Sequence, residues 1–393
     1  MSGTRPTGGE ILFLAHRLPW PPDRGDRIRS WHILEALTQL RPVHVITPLD
    51  NEEDRQHIGM VESVAASVTT ALRPPSKGLA VARALVTGLP ASVALFSLPA
   101  LHHAVQARLA TGRIRTVFAF SGQMALYVPH DIDARFVMDF VDMDSAKFAQ
   151  QGLTARGLAG FALRQEARRL RAFEIATAKR ADASLFVSEA EAALFRENTG
   201  LAAQVLENGV DAGHFAPGSV EAAAAPHPLI VFTGQMDYMP NIDAVTMFAR
   251  DVMPALPTAT FAIVGRAPPA AVRALASPSV IVTGEVPDTR PWLAAADVVV
   301  APLALARGIQ NKVLEAMAMG KAVVASNAAA QGIDAEPGID LLVAETAEAQ
   351  VAAIAALLTD PMRARSIGQA ARDRVRARYS WEACLSPLAG LVA

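Results

Sequence analysis

Lys312 and Glu315 stand three residues apart at the start of an apolar run, Val313, Leu314, Ala316 and Met317. On a helix that spacing puts the ammonium and the carboxylate on one face. A helix N-terminus favours anions through its free N–H groups and dipole, and Lys312 adds a full positive charge there, so a phosphate fits. Glu315 has no use as a phosphate ligand, but its two acceptor oxygens suit the vicinal hydroxyls of a ribose. Phosphate plus ribose means a nucleotide. The same spacing equally fits an exposed helix with an i,i+3 ion pair worth roughly 0.2–0.5 kcal/mol.

A second cluster lies near the start of the chain, where His16, Arg24, Gly25, Asp26, Arg27 and Arg29 fall in a Pro-rich loop and the helix that follows it. Gly25 permits close backbone approach, and the arginines surround it with positive charge. It is not GxGxxG, so the dinucleotide fingerprint is absent, and a loop with solvated arginines remains the plain alternative. A third cluster is Asp142-Met143-Asp144. Paired carboxylates suit Mg²⁺ or Mn²⁺ beside a diphosphate, while contact with a sugar or capping of a helix fits them as well. Residues 156–180 carry seven Arg or Lys against two Glu, Glu166 and Glu174, with Phe161, Leu170 and Phe173 interleaved. Such a helix lies on an anionic membrane surface or is simply solvated.

The elements that must hold these residues alternate strand and helix. Val298–Leu303 is a buried strand, Lys312–Met319 a helix capped by the Asn311 side chain, Gly320 a left-handed stop, and Lys321–Ala325 the next strand. Strands are also predicted at Ile11–Ala15, Val43–Pro48, within Val64–Leu72, at Arg113–Ser121, Phe136–Phe140 and Ala183–Ser188, then at Leu229–Thr233, Phe261–Val264 and Val280–Thr283. Loops at Gly234-Gln235, Gly265-Arg266 and Gly284–Asp288 and the one before Asn311 leave carboxyl ends of strands, and together with the Pro-rich opening loop they are expected to converge on one crevice. There Arg266 and Lys312 can neutralise a diphosphate, and backbone near Val286 can read a base edge.

Two α/β domains of ordinary size fit 393 residues. The predicted division is residues 1–217, an Ala- and Pro-rich linker 218–228, a second domain 229–378, and a C-terminal segment 379–393. A formal charge of −2 argues against nucleic acid as the main partner. The single cysteine, Cys384, excludes an intramolecular disulfide framework and Cys-based zinc sites and points to a reducing compartment. No apolar run approaches the roughly 18–20 residues of a membrane span, so a cytoplasmic location is expected.

LEAMAMGKAVVAS resembles the EAMA-G-x-P-V segment of glycosyltransferase family 4, retaining nucleotide-sugar transferases of the GT-B fold. The fuller run ARGIQNKVLEAMAMG, with PPDRGDRIRS, FTGQMDYMPN, VGRAP and VTGEVPDTRPWL, resembles the subgroup associated with bacterial exosortase/PEP-CTERM exopolysaccharide systems. VLENGVDAGHF and the tail Tyr379-Ser380-Trp381-Glu382 are similar to family segments too. Two positions depart from the family: Arg307 replaces a Glu eight residues before Glu315, and Val141-Asp142 stands where a His-Asp pair is common.

The resemblance implies two Rossmann-like parallel-sheet domains across a cleft, the second holding the donor and the first the acceptor, with the C-terminal segment returning to the first. It implies a UDP- or GDP-linked sugar donor, no metal, no separate cofactor, and a glycan or polyprenyl-linked acceptor met at the inner membrane face. The donor residues would be Gly25, Asp26, Gly234, Arg266, Val286, Arg307, Gly308, Ile309, Asn311, Lys312 and Glu315. Lys312, Glu315, Arg266 and Asp142 would be catalytic, and His16, Arg27, Ser121 and Asp144 would meet the acceptor. A nucleotide-sugar 2-epimerase of the same fold, or a non-catalytic nucleotide-sugar-binding scaffold, are the rivals, the latter because of Arg307.

Overall fold

The computed structural model describes residues 9–73, 88–306 and 309–393. In it the β-branched runs form two separate parallel sheets, one in each of two compact units. Their central strands are buried along nearly their whole length, as parallel strands covered by helices on both faces must be, while the edge strands are half-buried.

The first unit runs to Asn208 and includes Leu385–Ala393. Its strands are β1 (Glu10–Ala15), β2 (Val43–Leu49), β3 (Ser67–Leu72), β4 (Ile114–Phe120), β5 (Arg135–Val141), β6 (Ala183–Phe186) and β7 (Gln204–Val205), ordered β3-β2-β1-β4-β5-β6-β7. The order reverses between β1 and β4, so their carboxyl ends open a crevice. Four helices matter below: α1 (Gly25–Leu40), α2 (Asp144–Thr154), α3 (Gly157–Ala178) and α4 (Glu189–Thr199).

Arg29, Ile33 and Leu37 make the stripe of α1 turned to the core, and all three are buried. Arg29 therefore adds no charge around Gly25, contrary to the sequence reading. Its Nε and Nη2 reach Asp139 Oδ2 on β5 at 3.0 and 2.9 Å, and Nη1 donates to Asn208 Oδ1 at 2.8 Å. Burial pushes the Asp139 carboxyl up, and Arg29 opposes that shift. Asp139 also ties down two strained strand ends. Its carbonyl accepts from Ser121 N–H (φ 75°) at 2.8 Å, and its Oδ1 from Val141 N–H (φ 69°) at 3.0 Å. Left-handed backbone at a β-branched residue persists only where the surroundings enforce it.

The second unit is Gly209–Cys384. Its strands are β8 (Leu229–Thr233), β9 (Thr260–Val264), β10 (Val280–Gly284), β11 (Val298–Ala301), β12 (Val323–Ala325) and β13 (Leu342–Val343), ordered β10-β9-β8-β11-β12-β13. The reversal now falls between β8 and β11. Helices α5 (Met239–Met247) and α6 (Asn311–Ala318) follow β8 and β11. A last helix, α7 (Leu388–Val392), belongs to the first unit, where Thr116 Oγ1 donates to the Val392 carbonyl at 3.0 Å.

The units thus divide after Asn208 and after Cys384, whereas the sequence divides at 217, 228 and 378. Backbone pairing is the reason. Val210 N–H donates to Tyr379 O at 2.7 Å and Ala223 N–H to Pro291 O at 2.9 Å, which ties residues 209–228 into the second unit despite their composition. Gly209 serves a close approach: a Cβ there would lie 2.6 Å from the Trp381 backbone. Among the described residues no helix is long and apolar enough to cross a membrane.

Candidate functional site

At the carboxyl ends of β8, β9 and β10 and the start of α6 the second unit has a cavity of about 470 Å³. It brings together Gly234, Arg266, Val286, Asn311, Lys312 and Glu315, six of the predicted donor residues. Two glycines let the backbone close the floor. A Cβ on Gly265 would fall 1.7 Å from the Gly234 carbonyl oxygen, and one on Gly234 would fall 2.9 Å from Lys312 Nζ.

Helix α6 begins at Asn311, with Gln310 as its N-cap and no side-chain cap. The sequence reading gave Asn311 the capping role. In the structure it is the first helical residue, and its exposed side chain lies past the position from which it could cap. Gly320 is left-handed (φ 69°), as its position after the helix predicts.

Lys312 Nζ donates to Asn241 Oδ1 at 2.5 Å and sits 4.4 Å from the centroid of the Phe232 ring. Burial lowers its pKa to about 8, with Glu315 pulling the other way. Burial raises Glu315 to about 7, opposed by the Lys312 charge. The exposed Arg266 side chain has no hydrogen bond or ion pair among the described residues. The pocket thus offers two cations, one committed only to a neutral amide, beside a carboxylate acceptor.

Three lining residues fall in stretches that the sequence marks without singling them out as donor residues. Asn241 is buried, gives Nδ2 to the Gln235 carbonyl at 2.8 Å and offers Oδ1 to Lys312. In sequence it reads only as an opener of α5. Thr233 ends β8 with a buried Oγ1 that has no partner among the described residues. Glu285 lies next to Val286. Ile309 is not among the lining residues and packs against the apolar core of this unit. Arg307 and Gly308 lie outside the described residues.

Most of the predicted residues of the first unit already have partners within the unit, several of them residues that the sequence does not single out. Asp26 binds His16 Nε2 (3.2 Å), Arg17 Nη1 (3.0 Å) and Arg24 Nε (2.8 Å). Burial alone would raise its pKa, but those three partners hold it well below the usual carboxylate range. Arg27 is committed to Asp54 at 2.9 Å. Gly25 stands in the open, with nothing within 4 Å of where a Cβ would be. Asp142 and Asp144 share Lys147, at 2.6 and 3.5 Å, so a side-chain cation sits where the Asp-x-Asp reading would put a metal. Gln123 links Ser121 to Asp144. Among the described residues no three His, Cys, Asp or Glu side chains are grouped to hold a metal ion.

Residues 227–360 match the family model for glycosyl transferases, group 1. No curated protein matches the chain. Solved structures similar over nearly the whole chain include the sucrose-phosphate synthase of Thermosynechococcus elongatus, at 18% identity and TM-score 0.62 over 98% of each chain. HepE of Anabaena in complex with UDP shares 15% identity, with TM-score 0.62 over 97% of this chain and 98% of that one. WaaG, a glycosyltransferase involved in lipopolysaccharide biosynthesis, shares 15% identity, with TM-score 0.60 over 98% and 99%. At these identities the likeness concerns the fold. The chain has the α/β GT-B fold, two Rossmann-like parallel-sheet domains.

Proposed function

We propose that the chain is a glycosyltransferase that moves a sugar from a nucleoside-diphosphate sugar to an acceptor, with retention and without a metal. The observation that carries the reading is the cavity in which the uncapped start of α6, Lys312, Arg266 and Glu315 meet. The diphosphate would lie against the helix start and the two cations, the ribose on Glu315, and the base edge along the backbone at Val286. Positive charge fixed there stabilises the charge that builds on the leaving nucleoside diphosphate. The group 1 match covers the unit that holds this cavity, and HepE has been solved with UDP and with UDP-glucose. Arg307 and Gly308 stay in the proposed donor set on the strength of the motif.

Resemblance to the exopolysaccharide subgroup supports a glycan or polyprenyl-linked acceptor, met by the first unit through His16, Arg27, Ser121, Asp142 and Asp144. The test is thermal-shift screening against UDP, GDP, ADP, CMP and dTDP. A ligand at 100 times its Kd stabilises by about 2.7 kcal/mol, and no response to any of the five would sink the proposal. The near-neutral pair Lys312 and Glu315 also suits proton transfer, as a 2-epimerase needs. A UDP-sugar incubated without acceptor separates the two: an epimerised sugar favours the epimerase.

Activity is expected to survive EDTA, because Lys147 already occupies the Asp142–Asp144 pair and the donor diphosphate has basic partners. Activity that is lost on chelation and recovered with Mn²⁺ or Mg²⁺ would make those aspartates metal ligands.

Helix α3 is proposed to bring the chain to an anionic membrane face, the cytoplasmic one. Each exposed Arg near such a surface contributes on the order of 1 kcal/mol, screened within a Debye length. Co-sedimentation with anionic vesicles should therefore be strong at low salt and weak at high salt. It should vanish when Arg164, Arg168, Arg169 and Arg171 become Gln together.

A further inference from the structure

Helices α2, α3 and α4 of the first unit enclose a cavity of about 480 Å³. Its inner wall is apolar, made by Met143, Ala146, Ala167 and Leu194. Its rim is Arg164, Arg168 and Arg171, all exposed and spaced i, i+4, i+7 along one face of α3. No carboxylate is among the lining residues.

Of the two acids of α3, Glu166 faces elsewhere, while Glu174 lies behind the cavity wall, bonded to the lining residue Ser145 and close enough to Arg171 to feel its charge. Glu166 accepts from Ala91 N–H (3.0 Å), Ser92 N–H (2.8 Å) and Ser92 Oγ (2.7 Å). Glu174 is buried against Ser145, accepting its N–H at 3.0 Å and its hydroxyl at 2.5 Å. Arg164 gives one N–H to the Gly152 carbonyl and Arg171 one to that of Asn198, while the Arg168 side chain has no partner among the described residues. Beside the rim Leu153 is 82% exposed and Phe161 is 55% exposed.

Inorganic phosphate would satisfy the guanidinium groups and leave the apolar wall wet. A neutral chain would cover the wall and leave Arg164 and Arg168 without a counter-charge. We propose that this cavity binds the phosphate end of a membrane lipid, the phosphate oxygens on the α3 arginines and the first carbons of the chain against the apolar wall. The proposal deepens, and rests on, the membrane-facing role given to α3 above. It does not depend on the nucleotide site.

Calorimetric titration with decyl phosphate below its micelle threshold tests it, with inorganic phosphate and decyl glucoside as comparison ligands. Decyl phosphate is expected to bind well above either. Arg168→Glu, which breaks no hydrogen bond or ion pair among the described residues, should weaken it by about tenfold or more, since an attraction becomes a repulsion. Ala149→Trp, which fills the mouth of the cavity, should abolish binding. UDP thermal shifts should be unchanged in both variants, and a lost UDP response with decyl phosphate still bound counts against the nucleotide reading alone. Three results would overturn the cavity: no decyl phosphate binding, equal binding by both variants, or inorganic phosphate binding equally well. Should anionic vesicles still be bound in any of these cases, the membrane reading stands as attraction to the helix surface only.

Discussion

Replacing Arg29 with Ala is expected to cost the first unit about 3–5 kcal/mol, because it leaves the Asp139 carboxylate buried without its counter-charge. Both side chains are almost wholly buried, so solvent cannot take over the role. The loss should depend on pH. Burial holds the folded-state pKa of Asp139 above its ordinary value, and removing Arg29 takes away the group opposing that shift. A carboxyl whose folded pKa is raised keeps its full contribution in acid and loses it as pH rises through that pKa. The variant's deficit should therefore be small in acid and large at neutral pH. Arg29→Met with Asp139→Leu removes both charges, yet it still leaves Val141 N–H without the side-chain oxygen that accepts from it. It should keep a residual cost of about 1–3 kcal/mol. Urea denaturation at pH 5 and pH 8, with hydrogen exchange resolved over β4 and β5, measures all of this. A pH-independent loss under 1 kcal/mol would show that the pair does not hold these strand ends.

The same residue shows why the two units were unequally legible. In the second, the two ionisable residues at the centre of the site sit within one stretch: β11, α6 and β12 follow from their apolar pattern, and Lys312 and Glu315 are neighbours on a short helix. Local spacing is enough to read that. In the first, what matters is long-range. Arg29 meets Asp139, 110 residues on, and Arg17, which attracts no notice in sequence, joins Asp26 to Asp50 at 3.0 and 2.9 Å. A charged residue on a helix reads as solvated until tertiary packing shows which side faces the sheet. Asn241 stayed hidden for a like reason, since its partner is a lysine 71 residues away. The strands β7 and β13 have two residues each and present no pattern to detect. The cap assigned to Asn311 failed by a single residue, within the usual imprecision of helix ends.

Glu315→Gln should lower kcat/KM for the nucleotide sugar by about one to two decades. A carboxylate able to accept from two ribose hydroxyls becomes an amide with one acceptor oxygen, and a lost charge-assisted hydrogen bond is worth roughly 1.5–3 kcal/mol. The free protein adds a signature that misfolding cannot imitate. Burial sets Glu315 near 7, and acceptance from both hydroxyls requires the ionised form. UDP affinity should then fall as pH drops below about 7, by about tenfold per unit where one proton must leave for binding. On the alkaline side burial sets Lys312 near 8, and the diphosphate requires its ammonium, so affinity should fall again above that pH. Glu315→Gln should erase the acid limb. It should also move the alkaline limb to lower pH, because the Glu315 charge is what holds the Lys312 pKa up against burial. Titrations of UDP from pH 5.5 to 9.5 on both proteins read these limbs directly. An unchanged kcat/KM together with an unchanged acid limb would remove Glu315 from the proposed nucleotide site and leave it as a structural neighbour of Lys312.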